Sequence, residues 1–70
     1  MFNSKRNGEI LRRLRADRTQ EEVAKALNVS VASIAMYEKG ERTPRDDVKM
    51  ALAEFYGKSV SEIFFENIGH

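Results

Sequence analysis

Between Thr19 and Gly40 the sequence starts a helix, stops it and starts another within one short stretch. Thr19-Gln20-Glu21-Glu22 is a capping box. Its hydroxyl takes a free amide at the helix start, and Glu22 reaches back to the cap amide. Val23, Ala24 and Leu27 then form a buried stripe at helical spacing. Asn28-Val29-Ser30 interrupts it, and Ser30 caps a further helix over Val31 to about Glu38, with Ile34 and Tyr37 inward and Gly40 as its stop. A small Ala24 lets the two helices approach closely, and Val29 can plug the gap between them. Two helices joined so briefly cross steeply, and the second stands proud of the surface. A protruding helix matches the ~12 Å width of a DNA major groove.

The flanks carry the same helical signature. The spacing predicts a helix over Asn7–Ala16 with Ile10, Leu11 and Leu14 on one face. Thr43-Pro44 is expected to open a fourth helix, with proline at its first position and Asp46 and Asp47 in the first turn. Val48, Leu52, Phe55 and Tyr56 form its stripe, Ala51 lies beside it, the side taken by Met50 is open, and Gly57 ends it. Ser59-Val60-Ser61-Glu62 is a second capping box, opening a short fifth helix with Ile63 and Phe64. The tail from Glu66 is expected to fray. No segment alternates as a strand does. The expected fold is all-α, with five short helices in one domain over residues 1–70.

With 70 residues the chain suits one thin core, since folding at this size buries roughly 60% of the unfolded surface. The absence of cysteine excludes disulfides, thiol catalysis and Cys-based zinc sites, and a single histidine, His70, builds no metal cluster or catalytic dyad. No metal or other cofactor is expected. No apolar run approaches a membrane span, and the start resembles no signal peptide, so the cytoplasm or nucleoid is the expected location. The net charge of +1 conceals a gradient. Residues 5–18 hold six cations against two anions, whereas residues 46–70 hold two cations against five anions. Such a dipole can orient a protein on a polyanion. Arg12 and Arg13, opposite Leu11 and Leu14, read as solvated. No nucleophile sits with a base and no glycine-rich phosphate loop is present, so catalysis is not expected.

Thr19 through Ser30, Ile34, Tyr37-Glu38-Lys39-Gly40-Glu41-Arg42-Thr43-Pro44 and Gly57 through Phe64 together resemble the Cro/repressor (XRE-like) helix-turn-helix family of phage repressors and bacterial regulators. The resemblance covers about residues 8–65 and implies a compact five-helix, lambda-repressor-like DNA-binding fold. It implies phosphate contacts from Thr19 and Gln20 at the start of the second helix. In the loop after the third helix it points to Lys39 and Arg42, with Arg45 beside them. The chemistry agrees, because a helix start offers free amides and a positive dipole end. The third helix, about 31–38, would be the recognition helix, with Ser30, Val31, Ala32, Ser33, Ala35 and Met36 facing outward. The resemblance assigns base contact to Val31, Ala32 and Met36; Ser30 and Ser33 are the hydrogen-bond donors nearby. It also implies a salt bridge between Arg15 and Glu38 linking the first and third helices, and a homodimer on an inverted-repeat duplex. Phe65, which cannot share the face of Ile63 and Phe64, is the candidate dimer contact.

Two features depart from the family. Val31, Ala32, Ala35 and Met36 are apolar, so they offer thymine methyl contacts instead of bidentate bonds to guanine or adenine. The joint Arg15-Ala16-Asp17-Arg18 runs straight into Thr19, about two residues shorter than the family's usual joint, with no apolar staple before the cap. The expected function is a sequence-specific duplex-binding transcriptional regulator. The alternative is a protein-interaction module, such as an antitoxin or regulatory partner, that uses the apolar strip of the third helix.

Overall fold

A computed structural model describes residues 4–64. In chain order the helices are α1 (Ser4–Arg15), α2 (Gln20–Leu27), α3 (Val31–Lys39), α4 (Asp46–Tyr56) and α5 (Val60–Ile63). All regular structure among the described residues is helical. The architecture is the expected all-α bundle. Phe65 and His70 lie outside the described residues.

Local chemistry sets most of the boundaries. Thr19 Oγ accepts the Glu22 amide at 3.0 Å, and the Glu22 carboxylate accepts the Thr19 amide at 3.3 Å. Ser59 and Glu62 repeat the box at the start of α5, which holds the Glu62 carboxyl below its ordinary pKa because the Ser59 amide hydrogen-bonds its charged form. Helices α2, α3 and α4 end alike. Asn28, Gly40 and Gly57 take left-handed backbone, and the amide of the next residue closes onto the carbonyl five positions back, at Ala24, Met36 and Ala53.

Two boundaries differ from expectation. The first helix begins at Ser4 rather than Asn7, because its opening turns pack on the end of α3. The crossing is tight: a Cβ on Gly8 would stand 2.5 Å from the Glu38 carbonyl oxygen, and one on Gly40 would stand 2.7 Å from the Lys5 Cα. Asn7 and Gly8 are therefore buried. The fourth helix begins at Asp46, with Arg45 at the cap, and not at Pro44. The proline is buried in the incoming loop and never enters the helix. Arg45 makes no side-chain cap bond; Asp47 Oδ1 accepts the first-turn amide of Val48 at 3.0 Å.

The core gathers Leu11, Val23, Ala24, Ile34, Tyr37, Leu52, Ala53, Ile63 and Phe64, with Ile10, Leu14, Leu27, Val29, Val48, Phe55 and Tyr56 at its margin. Met50 faces solvent at 64% exposure. Lys49 is buried, its ammonium 5.7 Å above the Phe64 ring and 3.9 Å from Asp46. Helix α5 packs on α1 and α4. This leaves the outer side of α3 open.

Candidate nucleic-acid interface

Successive residues of α3 point about 100° apart. Ile34, Tyr37 and Glu38 therefore share one face, and that face is buried. Ala32 and Met36 lie nearly opposite and form the outer ridge. Ala32 and Lys39 are exposed, Val31 is 41% exposed, and Ser33, Ala35 and Met36 are half-buried. The ridge is open at Ala32 and Val31 and partly covered at Met36.

The depth and tilt of α3 are fixed from its inner side. Arg15 grips Glu38 with two bonds, Nε to Oε2 at 2.7 Å and Nη2 to Oε1 at 3.1 Å. Its remaining nitrogen, Nη1, donates to the Arg18 carbonyl at 2.7 Å. The Gln20 amide donates to Glu38 Oε1 at 3.0 Å. One carboxylate thus ties α1, α2 and α3 together, with side-chain exposure of 18% at Arg15 and 5% at Glu38. The bond to Glu38 holds the Arg15 pKa above its usual value, so the guanidinium stays charged. Tyr56 nearby is also raised, first by burial and then by the Glu38 charge.

The shortened joint is accommodated by strain. Ala16 occupies left-handed backbone at φ 51°, where glycine is the easier residue. Arg18 then stacks its guanidinium 5.3 Å from the Phe55 ring, while its amide donates back to the Arg15 carbonyl.

The expected phosphate-contacting residues fall into two groups. One open groove on the α1 side of α3 is lined by Arg12, Arg15, Gln20, Ala35, Glu38 and Lys39. A second, on the α4 side, is lined by Val29, Ser30, Ser33, Tyr37, Arg42, Thr43, Arg45 and Val48. Gln20 and Lys39 therefore belong together, and Arg42 and Arg45 belong together, with the ridge of α3 between the pairs. Arg45 lies 3.7 Å from Asp47, both highly exposed, a pairing of small energetic consequence. Thr19 is committed to its capping box. Ser30 accepts the Ser33 amide at 3.0 Å and donates to Ser33 Oγ at 2.9 Å, so Ser33 carries the hydroxyl proton left over at this end of α3.

Arg12 is exposed, in agreement with its reading as solvated, and it also lines the α1-side groove, three residues before Arg15 on the same helix face. Among the described residues no group of three His, Cys, Asp or Glu side chains is placed to hold a metal ion, and no helix is long and apolar enough to cross a membrane.

Residues 10–63 match the helix-turn-helix family. The chain belongs to that family, in its XRE-type branch. It is also similar to the cryptic phage CTXphi transcriptional repressor RstR of Vibrio cholerae, with 38% identity over 65 residues, covering 90% of this chain and 54% of that protein. The chain thus spans about half the length of this curated relative. In helix-turn-helix terms, the family match runs from within α1 to the end of α5 and includes the whole α2–α3 unit.

Proposed function

We propose that this chain is a double-stranded-DNA-binding transcriptional regulator of the phage-repressor type, with α3 lying in the major groove. The observation that carries this reading is the open ridge of α3 with a cation-bearing groove on each side. A duplex presents a phosphate strand on each side of its major groove, and phosphate contacts set orientation while base contacts set sequence. Membership of the family and similarity to a named repressor support the same reading.

In this arrangement Arg42 and Arg45 hold one strand while Gln20 and Lys39 hold the other. Thr19 presents the N-terminus of α2. Ala32 and Met36, with Val31 at the edge, pack on thymine methyl groups, and Ser30 and Ser33 supply the nearby polar contacts. Few base contacts are made per copy, so two copies act on an inverted repeat with half-sites roughly 34–36 Å apart. Phe65 is the proposed contact between the copies. The protein works in the cytoplasm, on the nucleoid, without cofactor and without catalysis.

The test is selection of duplexes from a randomised pool, followed by titration of the winner against salt. Phosphate-driven binding gives a log–log slope of about −0.9 per phosphate neutralised. Arg42→Ala should weaken binding evenly across sequences and flatten that slope. Deoxyuridine in place of thymine should weaken binding at the positions under Ala32 and Met36. The apolar ridge also suits a second reading, a protein-interaction module. Absence of selective, salt-sensitive retention on duplex DNA would decide for it.

A further inference from the structure

We propose that the groove between α1 and α3 is a binding site for one backbone phosphate of the duplex, with Arg12 as its contributing cation from outside the α2–α3 unit. The proposal rests on the DNA-binding reading above and adds a residue to it.

The electrostatics of the groove select an anion. Its floor carries the Glu38 carboxylate, which would repel a phosphate if left alone. That carboxylate is satisfied from below by three donors, Arg15 Nε, Arg15 Nη2 and the Gln20 amide, and its side chain is only 5% exposed. The Arg15 charge is consumed in the same pairing. Arg12 and Lys39 remain on the walls, both exposed, and neither stands within ion-pair distance of a carboxylate among the described residues. The groove therefore presents an excess of two positive charges over a neutralised base. Ala35 on its side leaves room for an oxygen to approach.

The position of the groove selects the kind of anion. It is open rather than enclosed and runs along the flank of the α3 ridge, opposite the flank bearing Arg42 and Arg45. A ligand passing both flanks must be long and must carry negative charge on two edges. Without Arg12, the α1 flank offers one cation, Lys39, against two on the α4 flank. With Arg12 the flanks are matched.

The geometry of α1 keeps Arg12 in place. Arg15, one turn further on, is clamped to Glu38 and to the Arg18 carbonyl, so the helix cannot rotate Arg12 away from the groove. Arg13, its neighbour, lines neither groove and carries the same charge. It is the natural control.

The experiment compares wild type, Arg12→Gln, Arg12→Lys and Arg13→Gln in the 70-residue chain, on a duplex selected as above. Equilibrium affinity is measured across a salt series, and circular dichroism verifies equal helicity. Arg12→Gln should flatten the salt slope by about 0.9 and leave the ranking of base variants unchanged. Arg12→Lys should restore most of the slope, and Arg13→Gln should change it by less than half as much. Methylphosphonate linkages, which delete one phosphate charge at a time, should reveal one linkage per half-site that weakens wild type but not Arg12→Gln. Equal effects of Arg12→Gln and Arg13→Gln, or no linkage with that pattern, would overturn the site while leaving the DNA-binding reading intact. Failure of wild type to bind any duplex with salt sensitivity would overturn both.

Discussion

The two sides of α3 are built to opposite specifications. The inner side meets another helix at backbone distance, and its one charged residue, Glu38, has a donor for each oxygen. The outer side carries small or flexible apolar residues, Ala32 exposed and Met36 half-buried. The contrast separates two jobs within one nine-residue helix. The inner side decides where the helix stands, and the outer side decides what it prefers. Changes inside should therefore register as lost stability, and changes outside as altered preference at nearly constant stability.

The strongest way to break that division is Gly8→Ala. The added methyl would fall 2.5 Å from the Glu38 carbonyl oxygen and 2.6 Å from that of Tyr37, both backbone atoms that cannot swing aside. Helix α1 must then lift off α3, at a cost of about 3 kcal/mol. Urea denaturation measures it, and a loss below about 0.5 kcal/mol would show the crossing to be looser than drawn, since that is the range of surface changes. Glu38→Gln should come next. It leaves the Arg15 guanidinium with a neutral partner in a site where breaking a fully buried pair costs ~3–5 kcal/mol. Arg15 still reaches water at 18% exposure, so about 2 kcal/mol is expected. The same variant should also weaken DNA binding, because Gln20 loses the charged acceptor that orients its amide.

How much of this was legible in the sequence follows from how local each feature is. The caps at Thr19, Ser30 and Ser59 and the stops at Asn28, Gly40 and Gly57 depend on neighbours within five residues, and each stood where the pattern put it. The Arg15–Glu38 link spans 23 positions and was reached through family resemblance, not through spacing. The start of α1 and the burial of Asn7, Lys49 and Pro44 depend on what packs against them, and no local pattern encodes that. The candidate interface divides in the same way. The outward residues of α3 followed from helical period, whereas the separation of Lys39 from Arg42 onto opposite flanks required the crossing of three helices.

A smaller effect of opposite sign should come from the joint that leads α1 into α2. Ala16 sits at φ 51°, where an L side chain costs about 1–2 kcal/mol. Glycine removes that strain but frees the unfolded chain by about 0.4–1 kcal/mol. Ala16→Gly should therefore stabilise by about 0.5–1 kcal/mol, read as a higher urea midpoint at unchanged slope. A destabilised variant would mean that Ala16 contributes packing, and the inner side would then extend into the joint.

The smallest effect on stability, and the sharpest on preference, should come from Met36→Ala. Met36 is half-buried at the edge of the ridge, away from Ile34 and Tyr37. Truncation should cost little folding energy, within roughly 0.5 kcal/mol. It should also remove the longest apolar reach from α3 toward a base. A thymine beneath it would lose its methyl contact, so discrimination between thymine and deoxyuridine should disappear at that one position and persist beneath Ala32. Phosphate contacts lie on the flanks and are untouched, so the salt slope should stay as in wild type. Stability, slope and base preference then move independently, as the division between the two sides of α3 requires. A variant in which stability and preference fall together would show the ridge to be part of the packing that holds α3, and the division would fail.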